Sequence, residues 1–211
     1  MTVSQPAQAA AARRNLAAVT VIWAVALIAS GIAPRDRLTW FMEVAPVLIA
    51  LPLLLATRER FAFTTLAYVL VCIHGVILIV GGTYTYAHVP AGFWVQEWLG
   101  LERNPYDRLG HLAQGFIPAI VAREILIRIF RLAPGKFLFF VTTSICLAVS
   151  AFYELIEWWS ALALGQGAHE FLGTQGDEWD TQWDMFLALL GACASQMLLS
   201  RPHDRQIAVL R

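Results

Sequence analysis

An all-α integral membrane protein is the fold class this sequence predicts, on three observations. Of its 211 residues 58% are hydrophobic and 14% charged, with a mean hydropathy of +0.61, which is more apolar surface than one soluble core hides. Apolar runs recur at the length needed to cross about 30 Å of hydrocarbon at about 1.5 Å per residue. Basic residues and tryptophans gather at opposite ends of those runs, as at the two faces of a bilayer.

Residues 1–14 open the chain as an Ala-, Gln- and Ser-rich segment without apolar periodicity, read as a disordered cytoplasmic tail. Arg13 and Arg14 then precede the first span, Leu16–Ala33. That run resembles a signal peptide, but about 18 apolar residues exceed an ordinary h-region and more spans follow, so it is read as an uncleaved helix. The second and third spans are Leu38–Ala56 and Phe61–Gly82. In the following connection Trp94, Trp98 and Leu101 fall at helical spacing, with Gln96, Glu97 and Arg103 on the wetter side, which predicts a short helix lying in the outer interface.

The fourth span is Leu109–Phe130, the fifth Phe137–Ser160 and the sixth Trp183–Ser200. Between the last two, Gly165, Gly167, Gly173 and Gly176 lie among polar residues, predicting an irregular lid or re-entrant loop. Residues 15–201 thus form one six-helix domain, and 202–211 a second cytoplasmic tail. No internal repeat supports an inverted-repeat transporter. Cys72, Cys146 and Cys193 are each expected inside a span, without metal-ligand spacing.

Orientation follows from the bases. Arg13, Arg14, Arg58, Arg60, Arg128, Arg131, Lys136, Arg201, Arg205 and Arg211 fall on one side, against Arg35, Arg37, Arg103 and Arg108 on the other. The richer side is cytoplasmic, which puts both termini inside a multi-pass bacterial inner-membrane protein. Trp40, Trp94, Trp98, Trp158, Trp159, Trp179 and Trp183 then map to the outer ends.

The same threading brings ionisable residues from three segments to one depth, and such groups at a membrane edge mark a functional site by default. Asp107 and His111 share a face as the fourth span begins, Asp107 having the alternative role of helix cap. Glu154 and Glu157 are i, i+3 neighbours near the end of the fifth span, where two carboxylates repel unless they share a proton or a cation. Asp177, Asp180 and Asp184 form a stripe opening the sixth, Asp177 with the alternative of a solvated loop residue. Tyr153 and Asp180 are placed at the pocket rim, with His169 reaching over it from the loop. His74, inside the third span, reads as a helix-packing residue. Glu124 and Arg128 have the spacing of an internal ion pair at the inner end, and Arg123 is read with them as structural.

Asp107-Arg-Leu-Gly-His111, Tyr153-Glu154-Leu-Ile-Glu157 and Gly176-Asp-Glu-Trp-Asp-Thr-Gln-Trp-Asp184, with Gly191, resemble the pattern of YjdF-like bacterial inner-membrane proteins over most of the chain. More distantly the pattern is similar to VanZ-like proteins, with Arg108 in place of a lysine and Ala188 in place of an asparagine. The resemblance implies a shared topology and singles out the same residues.

Three function classes fit. In the first, a membrane enzyme acts on a lipid or envelope precursor, with Asp107, His111, Glu154 and Asp184 around a divalent metal ion and His111, Glu154 and Glu157 moving protons. In the second, the cluster locks helices together or binds a lipid headgroup without catalysis. In the third it relays protons in a carrier, against which no continuous acidic path runs to the inner side. The bilayer is the expected partner, and no nucleic acid is expected.

Overall fold

The computed structural model describes residues 5–164, 172 and 174–210. Among them are seven helices and no strand: α1 (Gln5–Ile32), α2 (Arg37–Thr57), α3 (Thr65–Tyr84), α4 (Pro90–Leu99), α5 (Tyr106–Arg128), α6 (Lys136–Leu164) and α7 (Asp180–Val209). Five of them, all except α4 and α5, are long and apolar enough to cross a membrane. Helix α5 matches the fourth expected span in position but carries Asp107, Arg108, Arg123, Glu124 and Arg128, which dilute its apolar character.

The chain wears its apolar residues outside. Val25, Ile28, Ile32, Ile49, Leu53, Phe137, Phe140, Met197 and Leu198 are all more than half exposed, far beyond the patches a soluble monomer leaves bare. Glu43, Asp107, His111, Arg123, Glu124, Glu154, Asp184 and His203 are buried instead. Ionisable groups facing the bundle interior are the arrangement expected where lipid is the solvent.

Helices α1, α2 and α3 pack together and α5, α6 and α7 form a second group, with α3 against α5 as the principal seam between them. Trp23, Val44, Val47, Tyr68 and Ile79 fill the first group. In the second, α5 and α7 make the most extensive pairing among the described residues. Small residues allow it: Gly115 and Ala119 of α5 face Ala188, Gly191 and Ala192 of α7, bringing the two backbones into contact.

Two helix starts use side-chain caps. Thr64 accepts a hydrogen bond from Ala67 N–H at 3.2 Å, and Asp36 accepts one from Thr39 N–H at 2.7 Å. That backbone bond holds the Asp36 carboxyl below its ordinary value of 3.8 against a smaller opposing effect of burial. Asp36→Ala is expected to cost about 1 kcal/mol in thermal unfolding. Because the folded-state value is depressed, the cap's ionic contribution is present above pH 3.8 and lost as pH falls through the lower folded value, so the variant and wild type should converge in acid.

The ends depart from expectation. Helix α1 begins at Gln5 and Ala12 is buried against α2 and α3, so the helix includes ten of the fourteen residues expected as a tail. Helix α7 likewise continues to Val209 through Pro202, because His203 and Ile207 are buried against α5 and its surroundings. The three cysteines are free, as expected of core residues.

Candidate functional site

At one end of the bundle α2, α5 and α7 begin while α3 and α6 finish, and the buried acids converge there. His111, one turn inside α5, is the centre. Its Nε2 lies 3.6 Å from Asp107 Oδ1 and 3.7 Å from Asp184 Oδ2, and its Nδ1 lies 3.9 Å from Glu154 Oε1. Nδ1 is also 3.0 Å from Gln114 Oε1. With Gln114 accepting the Nδ1 proton, Nε2 faces the gap between Asp107 and Asp184, where it donates to the carboxylates when protonated and offers a lone pair to a cation when not.

The residues expected around one ion thus fall into two groups on the two sides of the ring. Asp107, His111 and Asp184 form one, and His111, Glu154 and Glu157 the other, each with one ligand atom per residue within 4.8 Å of the rest. Ligands on a divalent ion at about 2.0–2.2 Å stand roughly 3–3.5 Å apart, so the two carboxylates of the first trio, at 3.6 and 3.7 Å from His111 Nε2, would close in on binding. Asp184 Oδ1 and Glu154 Oε1 are buried without a hydrogen-bond partner. Unsatisfied acceptors of this kind call for a proton or a cation.

Arg103 supplies positive charge at the rim. It hydrogen-bonds Asp180 through Nη1 and Asp107 through Nη2 at 3.2 Å, with Asp177 at 3.6 Å. Burial works against the guanidinium's charge, but the bonds and attraction of these carboxylates outweigh it and raise its pKa. Asp177 also accepts from Arg108 at 2.9 Å and from Trp179 N–H at 3.0 Å. The Trp179 bond is the chief reason its carboxyl lies below the ordinary range. The N-cap position of α5 belongs to Pro105, so Asp107 is not the cap; it lies in the first turn, where its charge suits the helix dipole, and it is a partner of Arg103 and His111.

Beside His111 opens a cavity of about 220 Å³. Glu43, His74, Tyr86, Asp107, Gln114, Tyr153 and Glu157 give it polar walls, and Pro46, Leu78, Pro118 and Val149 apolar ones. Tyr153 donates to Glu43 Oε2 at 3.0 Å, tying α6 to α2, and its ring meets that of His111 edge-on at 6.5 Å. Tyr86 reaches the cavity from a turn in which it and Thr85 both adopt left-handed backbone, φ 49° and 55°. Its ring lies over Gly81 and Gly110. Left-handed non-glycine residues cost of order 1–3 kcal/mol each and cluster at functional sites.

Glu43 was legible in the sequence as the one acid inside the second apolar run, yet it falls outside the expected site. His74, expected as a packing residue, lines the cavity with Nε2 unpartnered. Asp180 sits at the rim through Arg103 and not through His111. His169 lies outside the described residues.

At the opposite end a second network surrounds Glu124. Its carboxylate accepts from Thr64 N–H and Oγ1 at 3.0 and 2.7 Å, from Arg128 at 2.6 Å and from His203 Nε2 at 3.0 Å. Arg123 stands 3.2 Å from His203 Nδ1 and 2.7 Å from Asp204. Arginine only donates, so Nδ1 accepts and Nε2–H is the donor to Glu124.

A family described as predicted membrane protein (DUF2238) matches residues 15–205. The inner membrane protein YjdF of Escherichia coli (strain K12) is 58% identical over 193 residues, covering 92% of this chain and 91% of the relative. No solved structure matches the chain. On the breadth of both matches, this chain belongs to the DUF2238 family of membrane proteins.

Proposed function

We propose that the chain is a six-span inner-membrane protein with both termini cytoplasmic, and that its outward-facing Asp107–His111–Asp184 site, flanked by Glu154 and Glu157, performs cation-assisted hydrolysis or acid–base chemistry on a lipid or envelope precursor. The observation that carries this reading is the charge imbalance. Glu43, Asp107, Glu154, Asp180 and Asp184 are buried here with Glu157 half-buried beside them, while the cationic groups among them are Arg103 and the His111 ring, Arg108 being paired with the more exposed Asp177. Buried carboxyls in this number cannot all be ionised in poorly hydrated surroundings beside one guanidinium and one imidazole. Protons on some of them, or a divalent cation between Asp107 and Asp184, relieve the excess, and either leaves groups ready for proton transfer.

Imidazole and carboxylate oxygen together suit Zn²⁺ or Mn²⁺. Such a cation would supply Lewis acidity and a more acidic water. His111 is oriented by Gln114, and Glu154 and Glu157 on its other edge are placed to accept and return a proton. The bilayer location supports a membrane-borne substrate, and the E. coli relative's inner-membrane description supports the localisation. The α4 helix, with Trp94 and Trp98 exposed, suits the outer interface.

Buried Ile117, Ala119 and Ile120 lie on α5 between His111 and Glu124. About 20 Å of helix axis therefore separates the two polar networks, which favours an enzyme over a carrier with a through-going relay.

Thermal unfolding of the detergent-solubilised protein tests the reading. Saturating Mn²⁺ or Zn²⁺ at about 100 times Kd is expected to add about 2.7 kcal/mol of stability, reversed by chelator and absent in Asp184→Asn. A wild type indifferent to both ions and to chelator would remove the cation from the mechanism.

A further inference from the structure

The cavity beside His111 presents Glu43, Asp107 and Glu157, two tyrosines and two histidines, and no lysine or arginine among its lining residues. A small volume walled by carboxylates and aromatic faces attracts an organic cation: the carboxylates supply charge, and the rings receive an ammonium on their electron-rich faces. At about 220 Å³ it falls below the roughly 300–1,000 Å³ that encloses a whole drug-sized ligand. It is sized for one end of a larger molecule.

The remainder has a way out. Helices α2 and α6 do not pack along their lengths, the two helix groups meeting mainly through α3 and α5. The hydrogen bond from Tyr153 to Glu43 bridges α6 and α2 at the cavity. Beyond it the wall is Pro46 and Val149, and Val149 is 49% exposed on the lipid-facing side of the bundle. Ile49 lies one turn from Pro46 on α2, and Ile145 and Phe152 lie one turn to either side of Val149 on α6; all three are exposed and apolar. The cavity therefore combines anionic walls with an apolar wall that reaches the surface at Val149.

We infer that this cavity takes the ammonium head of a membrane lipid, which enters sideways between α2 and α6 with its positive charge among Glu43, Glu157, Tyr86 and Tyr153 and its hydrocarbon chains leaving past Pro46 and Val149. The inference deepens the proposed function by naming the lipid class, and it rests on the lipid part of that reading, not on the cation.

Native mass spectrometry of the full chain in detergent, titrated separately with phosphatidylethanolamine and phosphatidylglycerol, tests it. One phosphatidylethanolamine per chain is expected to bind about tenfold more tightly than phosphatidylglycerol, the ratio produced by one well-placed charge interaction. That preference should fall toward unity in Glu43→Gln, which retains an acceptor for Tyr153. Glu157→Gln provides an independent test at a half-buried position, and Val149→Trp should block binding of both lipids at this site. Equal affinity for the two lipids, or a preference unchanged in both glutamine variants, overturns the assignment. Repeating the titration in chelator separates the two readings: a preference that persists without metal supports lipid recognition whatever the outcome of the metal-stabilisation test, and a preference abolished by chelator overturns recognition through the carboxylates.

Discussion

Glu124→Ala is expected to destabilise the protein by about 3–5 kcal/mol, the range for removing one partner from a buried ionic network. Its side chain is fully buried and joins three helices: Thr64 at the start of α3, Arg128 on α5 and His203 on α7. Truncation leaves the buried His203 Nε2–H and the Thr64 N–H without this acceptor, and takes from Arg128 its carboxylate partner, leaving it the Ala62 carbonyl and the Phe61 ring. Glu124→Gln keeps an acceptor for some of these donors and should lose less. Denaturant or thermal unfolding in a fixed detergent measures both, and a loss below about 1 kcal/mol for the alanine variant would show that the network is not a determinant of stability.

The second large effect is expected at Gly115. A Cβ there would collide with the carbonyl group of Ala188, which belongs to the α7 backbone and cannot swing aside. Gly191 is held in the same way against the Leu112 carbonyl and the Phe116 amide of α5. Gly115→Val must therefore separate α5 from α7, with an expected cost of about 3 kcal/mol or more, at the upper end of overpacking. The separation also draws Asp184 away from His111, so the variant should lose cation-dependent stabilisation along with intrinsic stability. Unfolding curves with and without Mn²⁺ report the two losses separately. An unchanged midpoint would contradict the close helix contact.

These two positions show how legibility varied along the chain. The Glu124–Arg128 pair was read from its spacing, whereas the small-residue pattern of Gly115, Ala119, Ala188, Gly191 and Ala192, which marks close membrane helices, was present in the sequence but went unused. The convergence of Asp107, His111, Glu154 and Asp184 followed from threading alone, because residues at the same depth in adjacent helices become neighbours. His203 was hidden by treating residues 202–211 as a tail: its local sequence is polar, and only the tertiary partner Glu124 makes it a core residue. Arg103 was read as part of a wet helix face, since nothing local announces that a loop will fold its guanidinium between Asp107 and Asp180. The Thr85-Tyr86 turn has no glycine to signal left-handed backbone, and is held by the packing of Tyr86 over Gly81 and Gly110. Glu43 was different, for a single acid within an apolar run is itself a signal.

The proposed divalent cation among the buried acids around His111 is tested most directly by the metal content of protein purified without added metal. Mass spectrometry of wild type, His111→Ala and Asp184→Asn is predicted to find close to one divalent ion per chain in the wild type and little in either variant. Absence of metal from all three proteins, or equal metal in the wild type and both variants, would contradict it.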